Sequence, residues 1–414
     1  MKTYELLKEL SFERISGTET EMKACELIQK ELKKMGLDPK VEAFDVVRNQ
    51  VQKVIFEVIE PYHKQYEATL YMGCVNTDME CEMAYFENDT EVSRKKVEGK
   101  VALVNGYLNM KTFKALVEAK AVGFITFNGD IDQKENDLDP RELRGPLQEF
   151  GNLPGVNIRV EDAMEIVEKQ ATKVKMILKQ EILTTQSANL ICDIRNESDD
   201  WIICCAHYDS VPNSKGAYDN ATGAVCLYEM VCALKDEKLK HNLRFIWCGS
   251  EERGLLGSKA YVKDHEQELN NVKLVVNVDM IGSIMGKRIA VSTADMSLVH
   301  FIDYYAKIKG FSMESAQGVY SSDSTPFADA GVPAVSFARV TSPQTGKIHC
   351  RFDILEHLSA HQLQEDISFI EGFVREMAQA FVIPVIREIP ENMKEELDKY
   401  LGRDLLNKEK EKVA

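Results

Sequence analysis

Ile202-Ile203-Cys204-Cys205-Ala206-His207-Tyr208-Asp209-Ser210-Val211-Pro212, followed after three residues by Gly216-Ala217-Tyr218-Asp219-Asn220-Ala221-Thr222-Gly223, decides how this chain is read. The apolar run Ile202 to Ala206 has the pattern of a buried strand. It ends at His207, and Asp209 lies two residues on. Pro212 and Gly216 mark a loop that Asp219 closes. Asn220 to Gly223 then open a helix of small and apolar residues, Ala224 to Leu234. A histidine and two aspartates thus fall just past the carboxyl end of a strand, where open α/β sheets place their sites. A lone His-x-Asp is an ordinary loop feature, so its weight comes from polar residues further along the chain.

Outward from this stretch, strands and helices alternate from Asn189 onward. Leu190–Ile194, Trp201–Ala206, Leu243–Cys248, Leu274–Val278, Arg288–Ser292 and Ala334–Phe337 read as strands. They are mostly apolar throughout, which suits a sheet covered on both faces. Helices are expected over 222–235, 256–265, 296–309 and 359–381, the last opened by a Ser359…Gln362 capping box. Thr18-Glu19-Thr20-Glu21 is a second capping box. It opens a helix that carries Met22, Cys25, Ile28, Leu32 and Met35 on one stripe and stops at Gly36. The fold class expected is α/β, with a mixed, mostly parallel central sheet and helices on both faces.

Residues 97–183 differ in texture. Short strand patterns at Val101–Asn105, Val122–Phe127, Val156–Val160 and Val174–Leu178 alternate with short helices, and no histidine occurs among them. They read as a small α/β unit without chemistry of its own. The expected organisation is a first segment of the larger α/β domain at 1–51, an inserted unit at 52–183, a second segment of the larger domain at 184–384 and a charged tail at 385–414. That tail is expected to be a solvated, partly frayed helix.

Composition excludes some partners. The net charge of −16 argues against nucleic acid and anionic membrane, both of which select basic patches. The first ten residues lack a signal-peptide core, and no stretch approaches the roughly 20 apolar residues of a membrane span. Ten cysteines occur without a Cys-x-x-Cys pair, and several lie in apolar strand or helix patterns. Reduced, buried thiols in a cytoplasmic protein are therefore expected.

Five further positions join the opening loop. Glu251 and Glu252 follow the strand ending at Cys248, Asp279 follows Val278, and His349 stands four residues before Asp353. If those strands are neighbours, their ends converge on one crevice. The resulting nitrogen-and-oxygen donor set suits zinc, or manganese or cobalt as substitutes. Two metal ions can share a bridging carboxylate and a bridging water, and a carboxylate outside the ligand set must then move the water's proton. An adjacent Glu-Glu pair can divide those two tasks.

The ordered set His207-x-Asp209, Asp219-Asn220, Glu251-Glu252, Asp279-Met280-Ile281-Gly282 and His349 resembles the dinuclear zinc aminopeptidases, the family of aminopeptidase Y and the glutamate carboxypeptidases. Ser322-Asp323-Ser324-Thr325-Pro326-Phe327 also matches a stretch of that family, and the likeness covers about residues 10–45 and 186–382. The resemblance implies one zinc on His207, Asp219 and Asp279, and a second on Asp219, Glu252 and His349. It makes Glu251 the general base and has Asp209 orient His207. It implies hydrolysis of the N-terminal bond of short peptides. The sequence itself leaves the oligomeric state open, a homodimer included. Val97–Gly106 and Ala119–Asn128 resemble the protease-associated domain, a module often inserted into this family.

One position departs from the pattern. The family often places a tyrosine immediately before the last histidine to donate to the oxyanion, and here that residue is Ile348. Either the metals carry the oxyanion alone or another donor replaces the tyrosine, with Tyr320, Arg339 and Arg351 the candidates that sequence proximity suggests. Competing activities on the same scaffold are a carboxypeptidase, a dipeptidase or another amide hydrolase, a glutaminyl cyclase, and a non-catalytic receptor-like member.

Overall fold

The computed structural model describes residues 2–403 except 107, 134–135 and 144. The chain divides into two compact units, one made of Met1–Val46 with Thr185–Ala414 and the other of Val47–Thr184. Two long strands, Lys40–Glu60 and Lys173–Ile194, carry the chain across that division.

In the first unit, four neighbouring strands run parallel: Ala334–Val340, Val272–Val278, Trp201–His207 and Asn242–Cys248. Lys287–Thr293 adds antiparallel beyond Ala334–Val340, and the Leu190–Ile194 end of its long strand adds antiparallel beyond Asn242–Cys248. The apolar runs are continuous because both faces are covered. Ile202, Cys204, Ala206, Phe245, Trp247, Leu274, Val276 and Phe337 point to one core, shared with helices Thr222–Leu234 and Ala360–Gln379. Their alternates Ile203, Cys205, Ile246, Cys248 and Val275 point to the other, with Tyr261 and Phe327. The Trp247 indole donates to the Ala224 carbonyl at 2.8 Å, so its one polar atom is satisfied inside the core.

The Thr222–Leu234 helix approaches the sheet closely because Gly223 lacks a side chain. A Cβ there would fall 2.4 Å from the Val278 carbonyl oxygen. This contact sets the start of the helix against the end of the strand that leads to Asp279.

The tail departs from expectation. Glu391–Tyr400 is a helix, but Ile389, Met393 and Leu397 are buried in the second core of the first unit. Met393 and Leu397 stand four residues apart, on one face of the helix. That narrow apolar stripe docks despite the surrounding charge. Residues 404–414 of the expected tail lie outside the described residues.

The second unit has its own parallel ladder: Thr77–Phe86, Val101–Val104, Gly123–Asn128 and Gly155–Arg159. Its core draws on Phe56, Val101, Leu103, Phe113, Phe124 and Ile158. Among the described residues, no helix is long and apolar enough to cross a membrane.

Candidate metal centre

Parallel strands bring their carboxyl ends to one edge, and the polar residues expected from sequence follow those ends. His207 is the last residue of its strand, Asp279 directly follows Val278, and Glu251 and Glu252 lie three and four residues past Cys248. His349 comes nine residues after Val340, with φ +57°. Asp219 sits in an irregular turn ahead of Thr222, and its peptide bond to Asn220 is cis.

These residues form two overlapping clusters, His207 with Asp219 and Asp279, and Asp219 with Glu252 and His349. Asp219 belongs to both. Its Oδ1 lies 3.1 Å from His207 Nε2 and its Oδ2 lies 3.1 Å from His349 Nε2. His349 Nε2 is also 3.1 Å from Glu252 Oε2, and Asp279 Oδ1 is 3.6 Å from His207 Nε2. Glu251 stands slightly apart, its Oε2 4.0 Å from His207 Nε2.

A net of hydrogen bonds holds the loops. The Asp209 carboxylate accepts the backbone N–H groups of Glu251 (3.0 Å) and Glu252 (3.1 Å), and its Oδ1 lies 3.4 Å from His207 Nδ1. Asp353 accepts the N–H groups of Tyr218 (2.6 Å) and Asp219 (3.1 Å). Asn220 donates to the Val278 carbonyl at 2.9 Å and accepts from Gly223 and Met280, which ties the Asp219 turn to the Asp279 loop.

The electrostatics fit divalent cations. Loss of solvent alone would lower both imidazoles, the fully buried His207 and the half-exposed His349, yet the surrounding carboxylates prevail. Glu252 and Asp219 push His349 up to about 12, and Glu251, Asp209, Asp219 and Asp279 raise His207 well above the ordinary histidine range. Burial, outweighing the His207 charge and joined by Glu252, Asp323 and Asp279, raises Glu251 well above the ordinary carboxylate range. Buried carboxylates thus outnumber the cations at hand, a balance that metal ions redress. Asp279 Oδ1 is buried and takes part in no hydrogen bond, as a vacant ligand atom would be. Two imidazoles with carboxylate oxygens are a donor set compatible with a dinuclear zinc centre.

Among the residues considered as oxyanion donors, Ile348 brings no polar side chain. Arg339 turns away, its Nη1 3.5 Å from Asp366, and Arg351 lies over Phe352. Tyr320 is different. Burial, joined by the charges of Asp279, Asp219, Tyr218 and Glu251, raises its hydroxyl pKa, so the group stays protonated. Sequence reasoning assigns no task to Asn220, Asp353 or Arg14, and it reads Glu21 only as part of a capping box, whereas its carboxylate accepts from Ser187, Ser250 and Gly17.

Comparisons with known proteins agree with this geometry. Residues 189–372 match Peptidase family M28. The chain is 30% identical over 402 residues to Aminopeptidase YwaD of Bacillus subtilis (strain 168), a match that covers 90% of this chain and 83% of that one. The solved zinc aminopeptidase BSAP from Bacillus subtilis superposes with a TM-score of 0.77 at 27% identity, covering 94% of this chain and 98% of the other. An aminopeptidase from Aneurinibacillus sp. strain AM-1 shares the fold, with a TM-score of 0.73 at 22% identity over 93% of this chain and 95% of its own.

Proposed function

The chain belongs to peptidase family M28, and from that premise we propose that it is an aminopeptidase that releases N-terminal residues from short peptides. It is a metallopeptidase with the zinc-dependent exopeptidase activity of that family. The free α-amine as the recognised end is our reading. It is supported by the names of the two Bacillus subtilis relatives and by an acidic site suited to an ammonium group.

The observation that carries the reading is Asp219, whose two oxygens each lie 3.1 Å from a different histidine. His207, Asp219 and Asp279 would hold one zinc, Asp219, Glu252 and His349 the other, with manganese or cobalt as substitutes. When bound, the pair lowers the pKa of a shared water and polarises the scissile carbonyl. Asp209 fixes the ring of His207 from its Nδ1 side and holds the Glu251–Glu252 backbone in place. Glu251, outside both clusters, takes the water's proton on its carboxylate and passes it to the leaving amine nitrogen. Tyr320 Oη donates to the oxyanion in place of the tyrosine absent at position 348.

We read residues 52–183 as a non-catalytic insert of the protease-associated kind that shapes access for short peptides. The ten free cysteines, most of them buried, support a cytoplasmic, reducing environment. A panel of amino-acid anilides, their N-acetylated forms and N-blocked peptides with free C-termini tests the central proposal. Cleavage confined to substrates with a free α-amine is expected. Release of C-terminal residues from N-blocked peptides would make the protein a carboxypeptidase instead.

A further inference from the structure

We propose that Arg14 and Glu21, which supply no metal ligand, are positioning residues that hold the two carboxylate loops of the centre and thereby set its affinity for zinc. This rests on the ligand assignment above.

Arg14 is wholly buried between the first two helices, in a segment that belongs to no strand. Its Nε donates to the Tyr208 carbonyl at 2.5 Å. Nη1 donates to Lys215 at 2.6 Å, to Phe12 at 2.8 Å and to Leu10, and Nη2 donates to Gly216 at 2.8 Å. Its own N–H reaches Ser210 Oγ at 2.9 Å, and its carbonyl accepts the Ser210 N–H at 3.0 Å. The loop from Tyr208 to Gly216 is therefore wrapped around one guanidinium. That loop carries Asp209 near its start and delivers Asp219 just past its end. Gly216 is part of the fit: it has φ +54°, and a Cβ there would lie 2.6 Å from Arg14 Nη2. Burial lowers the Arg14 pKa to about 10, while Asp353, Asp209 and Asp219 act to raise it. At neutral pH the group is a fixed cation beneath the carboxylates.

Glu21 does the matching work on the other loop. Its Oε1 accepts the N–H of Ser250 at 2.8 Å, the Ser250 hydroxyl at 3.0 Å and the Ser187 hydroxyl at 2.9 Å, and its Oε2 accepts the Gly17 N–H at 2.7 Å. Ser250 has φ +55° and immediately precedes Glu251-Glu252. The loops then meet each other at Asp209, which accepts from Glu251 and Glu252. The circuit closes: one short segment, residues 14–21, grips both loops, and Asp209 joins them.

A lysine cannot reproduce this arrangement. Arg14 directs a planar fork at five carbonyls, whereas an ammonium offers three donors at a single point. A glutamine at 21 keeps size and most acceptors but sets an N–H donor against the Gly17 N–H or the serine donors. Both changes conserve volume and loosen aim. Outer residues that orient ligands typically change metal affinity about 10–100-fold when altered.

The test uses full-length, zinc-loaded protein with Arg14→Lys, Glu21→Gln and the milder Ser250→Ala. Folding is checked by circular dichroism, and zinc retention is titrated against a chelator of known affinity with metal counted by mass spectrometry. Folded Arg14→Lys should lose zinc about 10–100-fold more readily, Glu21→Gln should loosen one ion before the other, and Ser250→Ala should shift retention only a few-fold. Excess zinc should restore much of kcat, which a globally weakened fold would not show. If Arg14→Lys fails to fold, the other two variants carry the same test. Folded variants that hold both ions with wild-type affinity and differ only in melting temperature would reduce the segment to a structural strut. Wild-type protein that binds no zinc, or whose zinc is indifferent to Asp219→Ala, would instead overturn the ligand assignment itself.

Discussion

Strands Trp201–His207 and Val101–Val104 are both buried runs inside parallel ladders, yet they end differently. The first runs into His207, Tyr208 and Asp209, all buried; the second runs into an exposed Asn105 and a turn at Gly106. The contrast extends to the whole of each unit. Among the described residues of Val47–Thr184, no Asp, Glu, His, Lys or Arg is buried; the buried polar side chains include Ser93, Thr126, Asn136, Asn157 and Gln180 beside tyrosine hydroxyls such as that of Tyr71. The other unit buries Arg14, Glu21, His207, Asp209, Asp219, Glu252, Asp279, Asp323 and Asp353. Taking a charge out of water costs several kcal/mol unless it is paired. Val47–Thr184 is built without that cost. Buried charge at the strand ends, rather than the α/β architecture, therefore distinguishes the unit that carries the candidate metal centre from the other.

The largest expected effect comes from removing the shared carboxylate. Asp219→Ala should strip both zinc sites and take peptidase activity to background, since each cluster loses a ligand. Metal counted by mass spectrometry after dialysis against chelator reads the result. Two ions held at wild-type affinity would mean that Asp219 is not the bridge. Next is Glu251→Gln, which removes a proton carrier but no ligand. Both ions should stay, KM should change little, and kcat should fall by roughly 10²–10⁴-fold. Loss of a zinc from this variant, with Glu252→Gln keeping both, would exchange the two roles.

Much of this site is legible in the sequence because several of its polar groups closely follow apolar strands. His207, Glu251, Glu252 and Asp279 all carry that signal, and the sequence places them at one edge only if their strands are neighbours, which they are. His349 carries none: it stands nine residues beyond its strand, and only resemblance picks it out. Glu21 reads in the sequence as half of a capping box. In the structure Thr18 caps nothing with its side chain, its hydroxyl donates to the Ile15 carbonyl, and Glu21 is drawn to Ser250 instead. Local pattern cannot show this, because Ser250 lies 229 residues away. Arg14 is silent for the same reason, since most of its partners are carbonyls that every residue possesses. The docking of Met393 and Leu397 is hidden by the charge around them.

A smaller effect is expected inside the unit that buries no charge. Tyr71 Oη, Thr126 Oγ1, Asn157 and Asn128 form a neutral chain of bonds, with Thr126 donating to Asn157 Oδ1 at 2.9 Å and Asn157 Nδ2 donating to Asn128 Oδ1 at 2.5 Å. Asn157→Leu should leave buried partners unsatisfied and cost about 1–3 kcal/mol of stability by denaturant unfolding. Zinc content and kcat should not move. A fall in zinc content while the protein remains folded would show that the neutral network supports the charged site.

The smallest effect on the metal centre should follow the largest change to the chain. Among the described residues, the two cores of the zinc unit contain no residue of 47–184, and the core of the other unit contains none from outside it. The ends that a deletion must rejoin already meet. Thr185 Oγ1 donates to the Val46 carbonyl at 3.4 Å, and Gln186 Nε2 donates to Asp45 at 2.7 Å. A linker of a few glycines and serines can therefore replace 47–184 without moving either end, and closing a short loop costs less entropy than closing a long one. Arg14, Glu21 and every proposed ligand stay in the retained chain. Zinc affinity should thus remain within about twofold of wild type, comparable to the scatter expected for independent sites, while preference for peptide length should change. A soluble, folded deletion variant that binds no zinc would make the two units one cooperative whole. The placement of charge would then describe where the chemistry happens without explaining what sustains it.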